Sequence, residues 1–172
     1  MWEKQILSET SIIWGSLPAQ SLVNNQKITH NIIQCYVNYK PNRFGDIKLD
    51  YLQDQQWVMD FVREHYKVEY GFTLIAISQY CKVDKPHERS VKRHYLDYYN
   101  LSNSPDFSLL YFVKGKGNLI IEWNDHRHKH GYWTIPIEAG KYVLFNSDLN
   151  YYLEESPTNE LRMYLNFNCQ LK

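Results

Sequence analysis

Cysteine is scarce in this sequence and unpaired in its spacing: Cys35, Cys81 and Cys169 are odd in number and lie far apart. That pattern argues against a disulfide framework or a structural zinc site, and for a reducing compartment. Net charge is missing too, with 19 Lys and Arg against 19 Asp and Glu. A neutral chain has no global electrostatic pull toward nucleic acid or anionic membrane, and neutrality permits self-association. No apolar run approaches the ~18 residues that a membrane span requires. The opening Met-Trp-Glu-Lys-Gln-Ile-Leu lacks the basic and apolar regions of a signal peptide. The expectation is a soluble, cytoplasmic protein. Nucleophilic catalysis has no support, because no Gly-x-Ser-x-Gly turn occurs and Cys35 and Cys169 lie in apolar settings. Gly115 and Gly117 lack the following helix that would make a phosphate cradle.

What is present is enough for one core. The chain has 172 residues, 44% of them hydrophobic, and its aromatic share of 16% includes fifteen tyrosines. Such a length suits a single domain, 1–172. Residues 10–18 read as a short strand stopped by Gly15 and Pro18. Asn24 or Asn25 can cap a helix with Ile28, Ile32, Cys35, Tyr36 and Tyr39 on one stripe, closed by Pro41 and Gly45. Asp50 can cap a second, with Tyr51, Val58, Met59, Val62 and Tyr66 on one face. From Gly71 the period changes to that of strands: 72–77, 107–113, 119–123, 132–137, 142–145, 151–153 and 161–167, with a hairpin at Lys114 to Asn118. The expected architecture is mainly β (α+β): 1–70 supply a strand and two helices, and 71–172 form an antiparallel double sheet with the helices on one outer face. The stretch from Lys82 to Pro105 has no clear period, and a connection of that length in a compact domain is usually functional.

Arg162 sits in the last strand among apolar neighbours and therefore needs a partner. The partner is either a bound anion or a structural carboxylate, with Glu122 and Asp106 the candidates across the sheet. His126, His128 and His130 alternate, which suits either chelation or a solvated hairpin tip. His87 reads as a surface residue. Tyr95, Tyr98 and Tyr99 around Leu96 could stack a ligand, cover the core or form a contact surface.

The order of motifs resembles the short, stand-alone iron(II)- and 2-oxoglutarate-dependent oxygenases of tailed phages and cyanobacteria. The matching stretches are Thr10 to Trp14, the Leu17-Pro18 step, Ser78-Gln79-Tyr80 and Ser108 to Val113. The end of the chain adds Glu138-Ala139-Gly140, Val143 to Ser147, and Arg162-Met163-Tyr164-Leu165-Asn166-Phe167-Asn168. The resemblance implies a double-stranded β-helix (jelly roll) with two N-terminal helices packed on one sheet. It also implies a site in which Arg162 and Tyr111 bind the co-substrate and two histidines and a carboxylate hold iron. In the family the proximal ligands stand two residues apart ahead of the Ser-x-x-Tyr strand. Here His94 and Asp97 are the candidates, at a spacing of three, and Tyr151 falls on the distal histidine position. A phenol is a poor iron(II) ligand at neutral pH. The implied function is a non-catalytic descendant without a working cofactor site, acting in binding or assembly with a protein partner or with itself. A phage accessory or structural subunit, in the host cytoplasm or the virion, would be such a protein. The alternative is a divergent dioxygenase (hydroxylase) using Fe(II) and 2-oxoglutarate.

Overall fold

Two antiparallel sheets face one another, and two helices cover the outer side of the larger. This is seen in a computed structural model that describes residues 12–19, 22–49, 55–71, 73–124 and 130–172. In chain order the elements are β1 (Ile12–Ser16), α1 (Leu22–Asn38), β2 (Asp46–Lys48), α2 (Gln56–Tyr70), β3 (Leu74–Asp84) and β4 (Phe107–Lys114). There follow β5 (Lys116–Asn124), β6 (His130–Glu138), β7 (Lys141–Asn146), β8 (Asn150–Leu153) and β9 (Arg162–Leu171). The larger sheet has the order β1-β7-β4-β9-β3-β2 and the smaller β6-β5-β8. This is the expected double-stranded β-helix.

The helices form where the apolar period reaches 3.6 residues and no Gly or Pro interrupts it. Ile28 and Ile32 of α1, and Val58, Met59, Val62 and Tyr66 of α2, are buried against Leu109, Tyr111, Leu165, Phe167 and Cys169 of the sheet. At roughly 1.5–3 kcal/mol for each large apolar side chain removed from water, that face is ample to hold both helices. α2 ends at Gly71, whose left-handed φ of 76° lets its N–H donate to the Lys67 carbonyl. α1 begins earlier than expected, so Asn25 is not a cap. It is buried inside the helix, where it donates to the Val113 carbonyl and accepts from the Tyr111 hydroxyl. Tyr39 lies past the helix and is exposed. The expected cap Asp50 and the stripe residue Tyr51 fall outside the described residues, as do Thr10, Ser11, His126 and His128; His130 is exposed on β6. Among the described residues no helix is long and apolar enough to cross a membrane.

A second core lies between the sheets, built from Leu110, Phe112, Leu119, Ile121, Ile135, Ile137, Val143, Phe145 and Leu153. The interior is apolar toward β4 to β7 and polar toward β2, β3 and β9. On β3 one extra residue sets which side chains contribute to it. β3 runs on to Asp84, beyond the expected 72–77, and carries a bulge: Ala76 pairs with Cys169 and Ser78 with Asn168, leaving Ile77 without a partner. Because side chains alternate, the bulge reverses which ones face inward. Leu74 and Ala76 point at the helices, whereas Tyr80, Lys82 and Asp84 pair with Asn166, Tyr164 and Arg162 on the inner face.

Candidate functional site

Arg162 opens β9 directly opposite Asp84, the last residue of β3. Its Nε and Nη2 donate to Asp84 Oδ2 at 2.9 and 2.7 Å, its Nη1 to the Glu154 carbonyl at 2.8 Å, and Nη2 again to the Glu88 carbonyl at 3.4 Å. Lys82 Nζ stands 3.5 Å from the other carboxylate oxygen. Arg162 and Asp84 are both wholly buried. The hairpin between β4 and β5 is shaped around this arginine: a Cβ on Gly115 would meet Arg162 Cα at 2.9 Å, and one on Gly117 would meet Nη1 at 2.9 Å. Both glycines have positive φ. The structural partner of Arg162 is thus Asp84, not Glu122 or Asp106. Glu122 pairs instead with Lys92, and Asp106 Oδ2 accepts from the Leu171 N–H.

A second buried arginine, Arg93, comes from the long connection after β3. Its backbone forms a two-way bridge with Tyr151, N–H to carbonyl at 3.0 Å in one direction and 2.8 Å in the other. Its side chain turns inward, where Nε donates to the Tyr151 hydroxyl at 3.0 Å and Nη1 donates to Asp46 Oδ2. The Tyr95 and Tyr151 rings lie 5.1 and 5.5 Å from the guanidinium carbon. Those two rings are stacked, 6.2 Å between centroids, and Tyr80 stacks on Tyr95 at the same separation. Burial pushes the phenols of Tyr151, Tyr95 and Tyr164 upward, so all three stay neutral. Burial works against the charge of Arg93, but the surrounding oxygens, the Asp46 carboxylate among them, outweigh it, and its pKa is raised. The inner site is therefore a guanidinium in an aromatic cage, paired with the Asp46 carboxylate.

The expected site residues do not converge. Arg162 and Tyr151 face the space between the sheets. Tyr111 points the other way: it sits in the helix-side core, its ring edge-on to Trp57 at 5.7 Å and its hydroxyl on Asn25 at 2.6 Å. It cannot share a co-substrate pocket with Arg162. His94, next to Arg93, is half-buried and packs edge-on against Tyr98 at 5.5 Å. Asp97 is exposed and closes a turn by accepting the Tyr99 N–H at 3.0 Å. Among the described residues no group of three or more His, Cys, Asp and Glu side chains could hold a metal ion. The pair two residues apart beside Tyr151 is Arg93 and Tyr95. The short helix Leu101–Asn103 lies between that pair and β4, so the pair stands farther from the Ser108 strand than an ungapped family spacing allows.

The architecture is similar to that of solved oxygenases. A prolyl-4-hydroxylase of Pseudomonas putida superposes with a TM-score of 0.62 at 11% identity, over 94% of this chain and 93% of its own. The viral collagen prolyl hydroxylase of Paramecium bursaria Chlorella virus-1, solved with 2OG, gives 0.63 at 11% identity over 95% and 96%. AviO1 of Streptomyces viridochromogenes Tue57 gives 0.66 at 7% identity over 94% and 90%. No protein-family model and no curated protein matches the chain. Identities this low establish the fold of the 2-oxoglutarate/iron(II) oxygenases and nothing about activity.

That fold implies iron(II) and 2-oxoglutarate, and the described residues around Arg93 and Arg162 fit neither. A facial triad needs imidazole and carboxylate donors with open positions on the metal. Around Arg93 the inward side chains are a cation without a lone pair to give, Arg93 itself, and two phenols held neutral, Tyr95 and Tyr151. The fork of Arg162 that would receive a dicarboxylate is already filled by Asp84.

Proposed function

We propose that this protein uses an oxygenase scaffold for binding or assembly and performs no oxygenation. The observation that carries the reading is the buried guanidinium of Arg93, bonded to Asp46 and to Tyr151, the residue that the sequence resemblance sets at the distal histidine position. A fixed buried cation repels Fe(II), and neutral phenols offer it no anionic donor. The partner is a protein, either another chain or a second copy. The long connection supports that choice, since its Tyr98, Tyr99 and Leu101 are strongly exposed and Tyr is the residue type interfaces favour. A phage accessory or structural subunit remains the setting that the sequence resemblance implies.

Anaerobic titration with Fe(II) and 2-oxoglutarate tests the reading. The expected result is no visible charge-transfer band and no rise in Tm with either ligand. Appearance of the band in the native protein would overturn the proposal and restore the dioxygenase alternative.

A further inference from the structure

We infer that Asp84 is a built-in ligand, a carboxylate of the chain itself that permanently occupies the carboxylate receptor formed by Arg162. The inference rests on the non-catalytic reading and deepens it by stating what fills the site. Three features of the geometry point the same way. Two donors of Arg162 converge on one oxygen of Asp84, while its remaining contacts go to the carbonyls of Glu154 and Glu88, so the fork presents no free pair of N–H groups. Both residues belong to paired strands and face each other in register, which holds the carboxylate in place without a flexible tether. Lys82 attends the second oxygen at 3.5 Å, and Gly115 and Gly117 leave the arginine room from the other side. A tethered ligand on a rigid element has a high effective concentration, so a free carboxylate cannot compete for the fork.

Removal of Asp84 should therefore convert a filled receptor into an empty one for small carboxylates. Asp84→Ala leaves Arg162 and Lys82 without their anion and should lower Tm by about 10 °C. Formate or acetate, against chloride at equal ionic strength, should then raise Tm of the variant by about 5 °C and leave the native protein unchanged. In Asp84→Ala/Arg162→Met the rescue should vanish. A folded Asp84→Ala that gains nothing from formate or acetate overturns the inference. Should the variant not fold, the native protein still decides. The Arg162 Nε–H resonance must be indifferent to added 2-oxoglutarate, and a shift of that resonance would show Asp84 displaced. Neither result depends on iron. Loss of the rescue leaves the non-catalytic reading standing, whereas an iron(II) charge-transfer band removes that reading whatever formate does.

Discussion

Arg93 carries most of the chemistry that distinguishes this interior, and its worth can be measured. Breaking a buried ion pair by removing one member leaves the other uncompensated, at a cost of about 3–5 kcal/mol. Arg93→Met should destabilise the protein by that amount, because Asp46 is buried with it. Asp46→Asn/Arg93→Met should recover a large part of the loss, and urea unfolding of the four proteins in a double-mutant cycle checks it. Full additivity would contradict the coupling. Tyr151→His should create no affinity for Fe(II) or Co(II), because the guanidinium that bonds Tyr151 stays in place and repels the ion. Co(II) d–d absorbance in that single variant would show that Arg93 can move aside. Gly117→Ala should cost about 1–3 kcal/mol, since its Cβ would press on Arg162 Nη1 and φ is positive there.

At the scale of elements the bulge in β3 decides what the barrel contains. Deleting Ile77 would restore strict alternation, and one end of the strand would then face the wrong way. Either Leu74 and Ala76 turn inward, or Lys82 and Asp84 are driven into the helix-side core. The expected outcome is loss of a cooperative unfolding transition. Ile77→Ser is the control: the side chain is half exposed, so stability should change by no more than ~0.5 kcal/mol. A deletion variant that unfolds like the native protein would mean that the bulge is incidental. The strand pattern hid this feature, because Leu-Ile-Ala-Ile-Ser-Gln-Tyr reads as an apolar run and then stops. In sequence the polar Lys82 and Asp84 read as the start of a loop, so the true partner of Arg162 lies outside the expected strand.

For the whole molecule, the abundance of tyrosine becomes a statement about alkaline stability. Burial pushes Tyr111 up to about 12 and raises Tyr151 and Tyr164, while the Cys81 and Cys169 thiols rise to about 12. Each group is protonated in the folded chain at a pH where the unfolded chain has released the proton. Stability is complete below the unfolded values, ~9 for the thiols and ~10 for the phenols, and falls as pH rises toward 12. The slope is about 1.4 kcal/mol per pH unit for each such group. A Tm series from pH 8 to 11.5 should decline above pH 9, with tyrosinate absorbance at these buried sites appearing only on unfolding. Tyrosinate formation at full Tm would show that these phenols reach water in the folded state.

The sequence by itself determined the layered fold: two amphipathic helices, then strands with a period of two, in an order that the jelly roll accommodates. It also marked Arg162 as a charge that needed a partner and Tyr151 as a departure at a ligand position, since both follow from residue type and local pattern. The tertiary structure alone decided which partner Arg162 takes, which residues stand beside Tyr151, and on which side of the sheet Tyr111 lies. Those outcomes depend on strand register, on one bulge, and on a connection whose path no local period describes. Asp84 and Arg162 are far apart in the chain and become neighbours only when β3 and β9 pair. Arg93 becomes a core residue only because its backbone bridges Tyr151.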